Sequence, residues 1–162
     1  RQMCIRDSLL GLVAREAPLP PGRPEGDLPA GAFVLAAPYA GWPAKQWPIE
    51  RYAELARALP VPLVMNVAPG QSIPEGTWRH ESSLEGLIDA PRRAAAVLGL
   101  DSGPLHLAAA MQKKGVALFG PTDPARNGPH GGTIRVLRVP GAATSYKREK
   151  QVAPSMAALP VA

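Results

Sequence analysis

Short aliphatic runs, each followed by polar, glycine and proline positions, recur along this chain and set its period. The run Ala94 to Leu100 predicts a buried strand of a parallel sheet, because it is apolar throughout and ends at a polar turn. Asp101, Ser102 and Gly103 break it, and Pro104 suits the first turn of a helix, where its missing N–H has no partner to lose. That helix is expected to continue through Leu105, Ala108, Ala109 and Met111 to Lys114, with Gly115 stopping it. Val116 to Phe119 predicts the next strand, and Gly120 to Pro124 the loop after it.

The same alternation precedes this unit. Phe33 to Ala36 reads as a first strand and Pro38 to Trp47 as its loop; Ile49, Tyr52, Ala53, Ala56 and Leu59 then recur at helical spacing between Pro48 and Pro60. Pro62 to Val67 predicts a second strand and Ala68 to Arg79 a loop. Ser82 or Ser83 is expected to cap a short helix carrying Leu84, Leu87 and Ile88, with Pro91 to Arg93 leading into the central strand. Thr133 to Val139 predicts a last strand. Leu9 to Ala17 has the pattern of one helix, and Pro18 to Pro29, with five prolines and two glycines, that of an extended linker. No internal repeat is visible.

Strand, turn, helix and strand in this order predict an α/β fold: a Rossmann-like parallel sheet with helices on both faces, whose turns lie at the carboxyl edge. The free amides at the start of the helix after Ser102 face outward there, ready for an anion. Gly103 lets a phosphate approach the backbone, Ser102 offers a hydroxyl, and His106 lies in the first turn on the same rim. Capping explains Ser102 and Gly103 equally well without ligand. For His106 the alternative is a bond to a neighbouring carbonyl. Asp101 beside a phosphate would repel it, so its carboxylate is expected to orient the turn or to pair with Lys45 or His106 as readily as to touch ligand. Thr122 and Asp123 are candidates for ligand contact in the next loop, where a Pro-Thr-Asp-Pro turn is the alternative.

Composition narrows the classes. With 162 residues the chain has room for one domain with a sizeable core but not for two. Its 46% hydrophobic content is that of a globular protein, and 20 prolines with 16 glycines imply many loops. The formal charge of +5 comes without a dense Lys/Arg block or an aromatic stripe, which favours a phosphorylated small molecule over nucleic acid. The single cysteine, Cys4, excludes an intrachain disulfide and a cysteine zinc cluster. No apolar run reaches transmembrane length. His80 and His130 have no second ligand at metal spacing and no Asp-x-Asp pair exists, so neither a metal nor another cofactor is expected.

DSGPLHLAAA followed by GVALFGPTDPARNGPHG resembles the signature of glycosyltransferase family 9, the ADP-heptose:lipopolysaccharide heptosyltransferases, which read D-[ST]-G-x-x-H-x-A-A and then a strand ending F-G-P-T. Upstream, FVLAAPYAGWPAKQWPIERYAELARAL resembles the family's h-P-x-A-x-x-K-x-W-P segment, and TSYKREKQVAPSM the tail of some members. The likeness runs from Phe33 to Met156. It implies the C-terminal, donor-binding half of a two-domain GT-B enzyme, with the N-terminal domain absent. The expected organisation is residues 1–8 as an artefactual segment, with RQMCIRDS resembling translated adapter sequence, then 9–30 as connector, 31–140 as the nucleotide-sugar-binding domain and 141–162 as tail.

The resemblance implies an inverting, metal-independent transfer of heptose or a related sugar from an ADP-heptose-like nucleotide-diphosphate sugar to a lipid-linked saccharide. It also implies a place in the cytoplasm, with a peripheral position at the inner membrane face open. It assigns Lys45 to a donor phosphate, against the alternative of a solvated surface lysine. Gln71, in NVAPGQ, stands where the family often has the acid of Gly-x-x-Glu that holds ribose or base; Glu75 could substitute for it. The general base is expected from the N-terminal half, so no catalytic base is assigned here. A sugar-nucleotide epimerase of the same architecture and a non-catalytic nucleotide- or sugar-binding module remain the alternatives.

Overall fold

The computed structural model describes residues 19–161, so the helix expected over Leu9 to Ala17 and residues 1–8 lie outside the described residues. The apolar runs form strands β1 (Val34–Ala36), β2 (Leu63–Asn66), β3 (Trp78–His80), β4 (Ala96–Leu100), β5 (Gly115–Phe119) and β6 (Ile134–Arg138). All are parallel and pair in the order β3-β2-β1-β4-β5-β6. The chain therefore builds outward from β1 to one side, returns, and builds outward from β4 to the other. In such a sheet the loops leaving β1 and β4 diverge, which opens a crevice at their carboxyl ends.

Alternate strand residues feed two cores, as a sheet buried on both faces requires. On one face Leu63, Met65, Leu98, Leu100 and Leu118 pack with α1 (Ile49–Ala58) and with the tail helix α5 (Pro154–Ala157). Tyr52 of α1 is fully buried there. Its ring meets Trp47 edge-on at 5.0 Å, and burial pushes its hydroxyl pKa well above the ordinary value. On the other face Phe33, Leu35, Val64, Val97, Ala117 and Phe119 pack with Ala90 of α2 (Leu84–Arg93) and with Leu105, Ala108 and Ala109 of α3 (Gly103–Ala110). A short helix α4 (Pro124–Asn127) follows β5.

Three sequence expectations are corrected. The stretch Ala68 to Arg79 is not all loop: Trp78 to His80 pair with Val64 to Asn66 as an edge strand, which its polar WRH sequence does not announce. Pro91 to Arg93 are the last turn of α2, and Ala94 is its C-cap, so β4 begins at Ala96. The helix after Asp101 ends at Ala110, short of Lys114. Gln112 takes the left-handed conformation (φ 56°) and donates its N–H to Ala109, while Lys113 donates to Ala108, a Schellman stop made before Gly115 is reached. Gly115 instead opens β5, where a Cβ would lie 2.2 Å from the Val97 carbonyl oxygen. Lys113 Nζ then donates to the Arg92 carbonyl at 3.2 Å, placing its charge at the C-terminus of α2.

The proline-rich stretch before β1 has no helix or strand over residues 19–32, yet it is fastened to α2 and β3. Glu25 accepts from the Ser83 N–H at 2.8 Å and from its hydroxyl at 2.9 Å, Trp78 donates to the Asp27 carbonyl, and Arg92 donates to the Pro20 carbonyl.

Candidate functional site

The crevice between the ends of β1 and β4 is filled by one cluster of polar side chains. After β1 the chain runs to a 3-10 turn, Pro43–Lys45, whose N-cap is Trp42. After β4 it passes Asp101 and Ser102 into α3. These two segments meet. Lys45 Nζ donates to the Asp101 backbone carbonyl at 2.5 Å and to its carboxylate Oδ2 at 3.3 Å. Both side chains are over nine-tenths buried, so the solvated surface alternative for Lys45 is overturned. The ammonium also lies 3.9 Å from the centroid of the Trp42 indole.

Asp101 is the hub of the cluster. Asn127 Nδ2, at the end of α4, donates to its Oδ2 at 3.2 Å, and His106 Nε2 stands 4.0 Å from its Oδ1. The His106 side chain is 46% exposed, so it presents a ring nitrogen to the rim while its neighbour stays buried. Ser102 does not cap α3: its hydroxyl donates to the Leu100 carbonyl at 3.3 Å, and the cap that was the alternative reading of this residue is absent. At the head of α3 Pro104 has no N–H and the Leu105 N–H donates to the Ser102 carbonyl at 3.2 Å, which leaves the Gly103 N–H, and nothing lies within 4 Å of a Cβ placed on Gly103. Gly99 explains how α3 comes so close to the sheet, since a Cβ there would fall 2.8 Å from Leu105 Cδ1.

The remaining candidates are placed apart from this hub. Asp123 caps α4, accepting from the Ala125 N–H at 2.9 Å, and so fixes the helix that delivers Asn127. Thr122 is buried, and its hydroxyl finds no partner among the described residues. Gln71 closes the turn after β2, its Oε1 accepting from the Ala68 N–H at 2.8 Å and its carbonyl taking Arg79. It shares the carboxyl edge with the Asp101 cluster, and the Tyr39 hydroxyl joins the two loops by donating to the Ser72 carbonyl at 2.8 Å. Two members of the cluster, Trp42 and Asn127, were not singled out from sequence. Trp42 lies in the very loop that carried Lys45, whereas an asparagine before glycine reads only as a turn. Among the described residues no group of three or more His, Cys, Asp or Glu converges as a metal site, and no helix is long and apolar enough to cross a membrane.

A family model described as glycosyltransferase family 9 (heptosyltransferase) matches residues 80–156, which include Asp101, Ser102, Gly103, His106, Thr122, Asp123 and Asn127. Lipopolysaccharide heptosyltransferase 1 of Escherichia coli O18:K1:H7 is 39% identical over 59 residues, 36% of this chain and 18% of that protein. Lipooligosaccharide heptosyltransferase 2 of Haemophilus influenzae is 29% identical over 132 residues, 70% of this chain and 38% of that protein. Over residues 80–156 the chain is similar to glycosyltransferase family 9. Among solved structures, the E. coli heptosyltransferase WaaC with ADP superimposes with a TM-score of 0.61 at 27% identity over 71% of this chain and 41% of that one. E. coli ADP-heptose lps heptosyltransferase II, at 23% identity, shares the fold with a TM-score of 0.66 over 80% of this chain and 43% of that one. The parallel sheet covered on both faces is thus a Rossmann-like domain of the GT-B arrangement. The chain spans less than half the length of the relatives it matches. Lys45 and Gln71 lie outside the residues matched by the family model.

Proposed function

We propose that this chain is the donor-binding, C-terminal half of an inverting, metal-independent glycosyltransferase that moves heptose or a related sugar from an ADP-heptose-like donor to a hydroxyl of a lipopolysaccharide-type acceptor. The observation that carries this is the meeting of Lys45, Asp101 and the start of α3 in the crevice between β1 and β4. As the glycosidic bond to the donor breaks, negative charge builds on the β-phosphate while the sugar becomes cation-like. The Gly103 amide at the head of α3 and the exposed His106 ring are the donors that face that charge. Asp101 acts on the turn rather than on the phosphate.

Lys45 enters this scheme by exchange. In the structure it is held by the Asp101 carbonyl and, more loosely, by the carboxylate. It can trade the 3.3 Å carboxylate contact for a phosphate oxygen and keep the carbonyl, because Asn127 still holds Asp101 Oδ2. The acceptor hydroxyl needs a general base, and in this proposal it comes from the N-terminal half. The 162-residue chain therefore binds nucleotide without turnover. Titration with ADP tests this: wild type binds, and Lys45→Ala weakens binding by about tenfold or more, the worth of one charge-assisted hydrogen bond. Equal affinity in the two proteins refutes the assignment of Lys45.

A further inference from the structure

The Lys45 ammonium has three N–H donors, and its contacts in the structure are to Asp101 and to an indole face. Two contacts go to Asp101 and the third side of the nitrogen faces the Trp42 indole at 3.9 Å. The Lys45–Asp101 pair is formally neutral, so by itself it does not balance the charge of an incoming diphosphate. A second cation stands at the same indole. The Arg148 guanidinium carbon lies 5.4 Å from the Trp42 ring centroid, and Arg148 is exposed.

Arg148 is brought there by a strap of the chain that crosses the carboxyl edge. Ser145 donates its N–H to the Pro121 carbonyl at 2.7 Å, tying the strap to the loop after β5. Farther on, Ala153 donates to the Ala44 carbonyl at 3.3 Å and Trp47 Nε1 to the Leu159 carbonyl at 3.1 Å, tying it to the loop after β1. Since β4 lies between β1 and β5, the strap passes the end of the strand that carries Asp101. Its residues alternate. Ser145, Lys147 and Glu149 line an open groove of about 460 Å³ with Pro121 and Ala44, whereas Tyr146 carries Arg126 on its ring at 4.8 Å and Arg148 rests on Trp42.

We propose that Arg148 is a second phosphate-binding cation of the donor site and that Trp42, whose indole also meets Lys45, is the positioning residue that holds it there. The inference rests on the donor-site reading above and adds to it a residue from the tail. A diphosphate bound at this edge takes donors of the Arg148 guanidinium while Lys45 stays anchored on the Asp101 carbonyl.

Calorimetric titration of the 162-residue chain with pyrophosphate and with ADP tests it. Arg148→Gln is expected to weaken both by about tenfold, and Arg148→Lys to recover most of the loss. Trp42→Leu is expected to weaken both while Trp42→Phe, which keeps an aromatic face, does so less. Because Arg148 is exposed, its variants keep the wild-type melting temperature, which separates a lost contact from a lost fold. The salt dependence of pyrophosphate affinity becomes shallower in Arg148→Gln. Wild-type affinity for pyrophosphate in Arg148→Gln overturns the proposal and leaves the donor site standing. Wild type binding pyrophosphate but not ADP removes the nucleotide reading and keeps this phosphate site if Arg148→Gln still weakens it; wild type binding neither removes both.

Discussion

Lys45 and Asp101, 56 positions apart in the chain, are joined at the sheet's crevice by a 2.5 Å bond from the ammonium to a backbone carbonyl and a 3.3 Å contact to the carboxylate. Their side chains are 9% and 8% exposed, so the pair replaces most of its hydration with protein groups. Removing one partner strands the other. Lys45→Ala is expected to cost about 3–5 kcal/mol of stability and Asp101→Ala a similar amount. The double variant should cost less than the sum, because no unpaired charge is left. Urea unfolding of the four proteins checks this, and additive losses would show that the pair is not coupled. Lys45→Met keeps the volume and stem packing, so a smaller loss in that variant separates packing from charge.

The two serines at helix starts behave differently in the structure and should do so on mutation. Ser83 caps α2, accepting from the Glu85 N–H at 3.2 Å while its own hydroxyl donates to Glu25. Ser102 turns its hydroxyl back to the Leu100 carbonyl. Ser83→Ala is therefore expected to lower stability by about 1 kcal/mol or more, the usual worth of a cap. Ser102→Ala should cost less than that by thermal melting, and any loss it shows in ADP affinity then reports on ligand contact rather than folding. A larger stability loss at Ser102 than at Ser83 would contradict these assignments.

What could be read from the residues was decided by how much apolar surface each segment carries. The strands through Leu35, Val64, Val97 and Phe119 are continuous apolar runs buried on both faces, and each is legible because nothing else explains such a run. Trp78 to His80 were missed because an edge strand of three residues is held by its ladder to β2 and carries no apolar pattern. The end of α3 was misplaced since a glycine signals a stop, yet Gln112 takes the left-handed turn at the cost that any residue with a Cβ meets there. In the site, Asp101 and His106 were singled out from their turn and Lys45 from the family resemblance. Asn127 and Trp42 were not, because their roles depend on which loops the sheet order sets side by side. Composition places no residue beside another.

His80 is buried at the end of β3, and neither ring nitrogen has a partner among the described residues. Burial holds its pKa below the ordinary 6.5, with the charge of Arg93 acting the same way and Asp89 and Glu25 opposing. The unfolded chain thus binds a proton that the folded chain refuses. Stability is unaffected by this residue above pH 6.5 and falls as the pH drops below that value, until the folded-state pKa is reached. Chemical denaturation at about pH 7.5 and about pH 5.5, either side of the ordinary histidine value, should show the loss in wild type, and His80→Leu should reduce the difference. Equal pH slopes in the two proteins would mean that other groups set the dependence.

The glycine at position 99 couples the core to the crevice. A Cβ there would meet Leu105 Cδ1 at 2.8 Å and Leu105 Cβ at 3.0 Å, on the first turn of the helix that the Gly103 amide heads. An apolar void of about 20 Å³, lined by Gly99, Leu105 and Ala108, adjoins the contact. The tip of Leu105 can rotate into that void, but its Cβ cannot, so a single methyl already presses on α3 and a branched side chain presses harder. Gly99→Ala is expected to cost about 1 kcal/mol and Gly99→Val more, up to about 3 kcal/mol, through overpacking. If the head of α3 binds the donor phosphate, Gly99→Val also weakens ADP, because displacing the helix moves its amides while leaving Lys45 in place. Melting temperature and ADP titration on the same preparations separate the two effects. A Gly99→Val protein with wild-type stability and unchanged ADP affinity would show that the position of α3 against β4 does not govern the site.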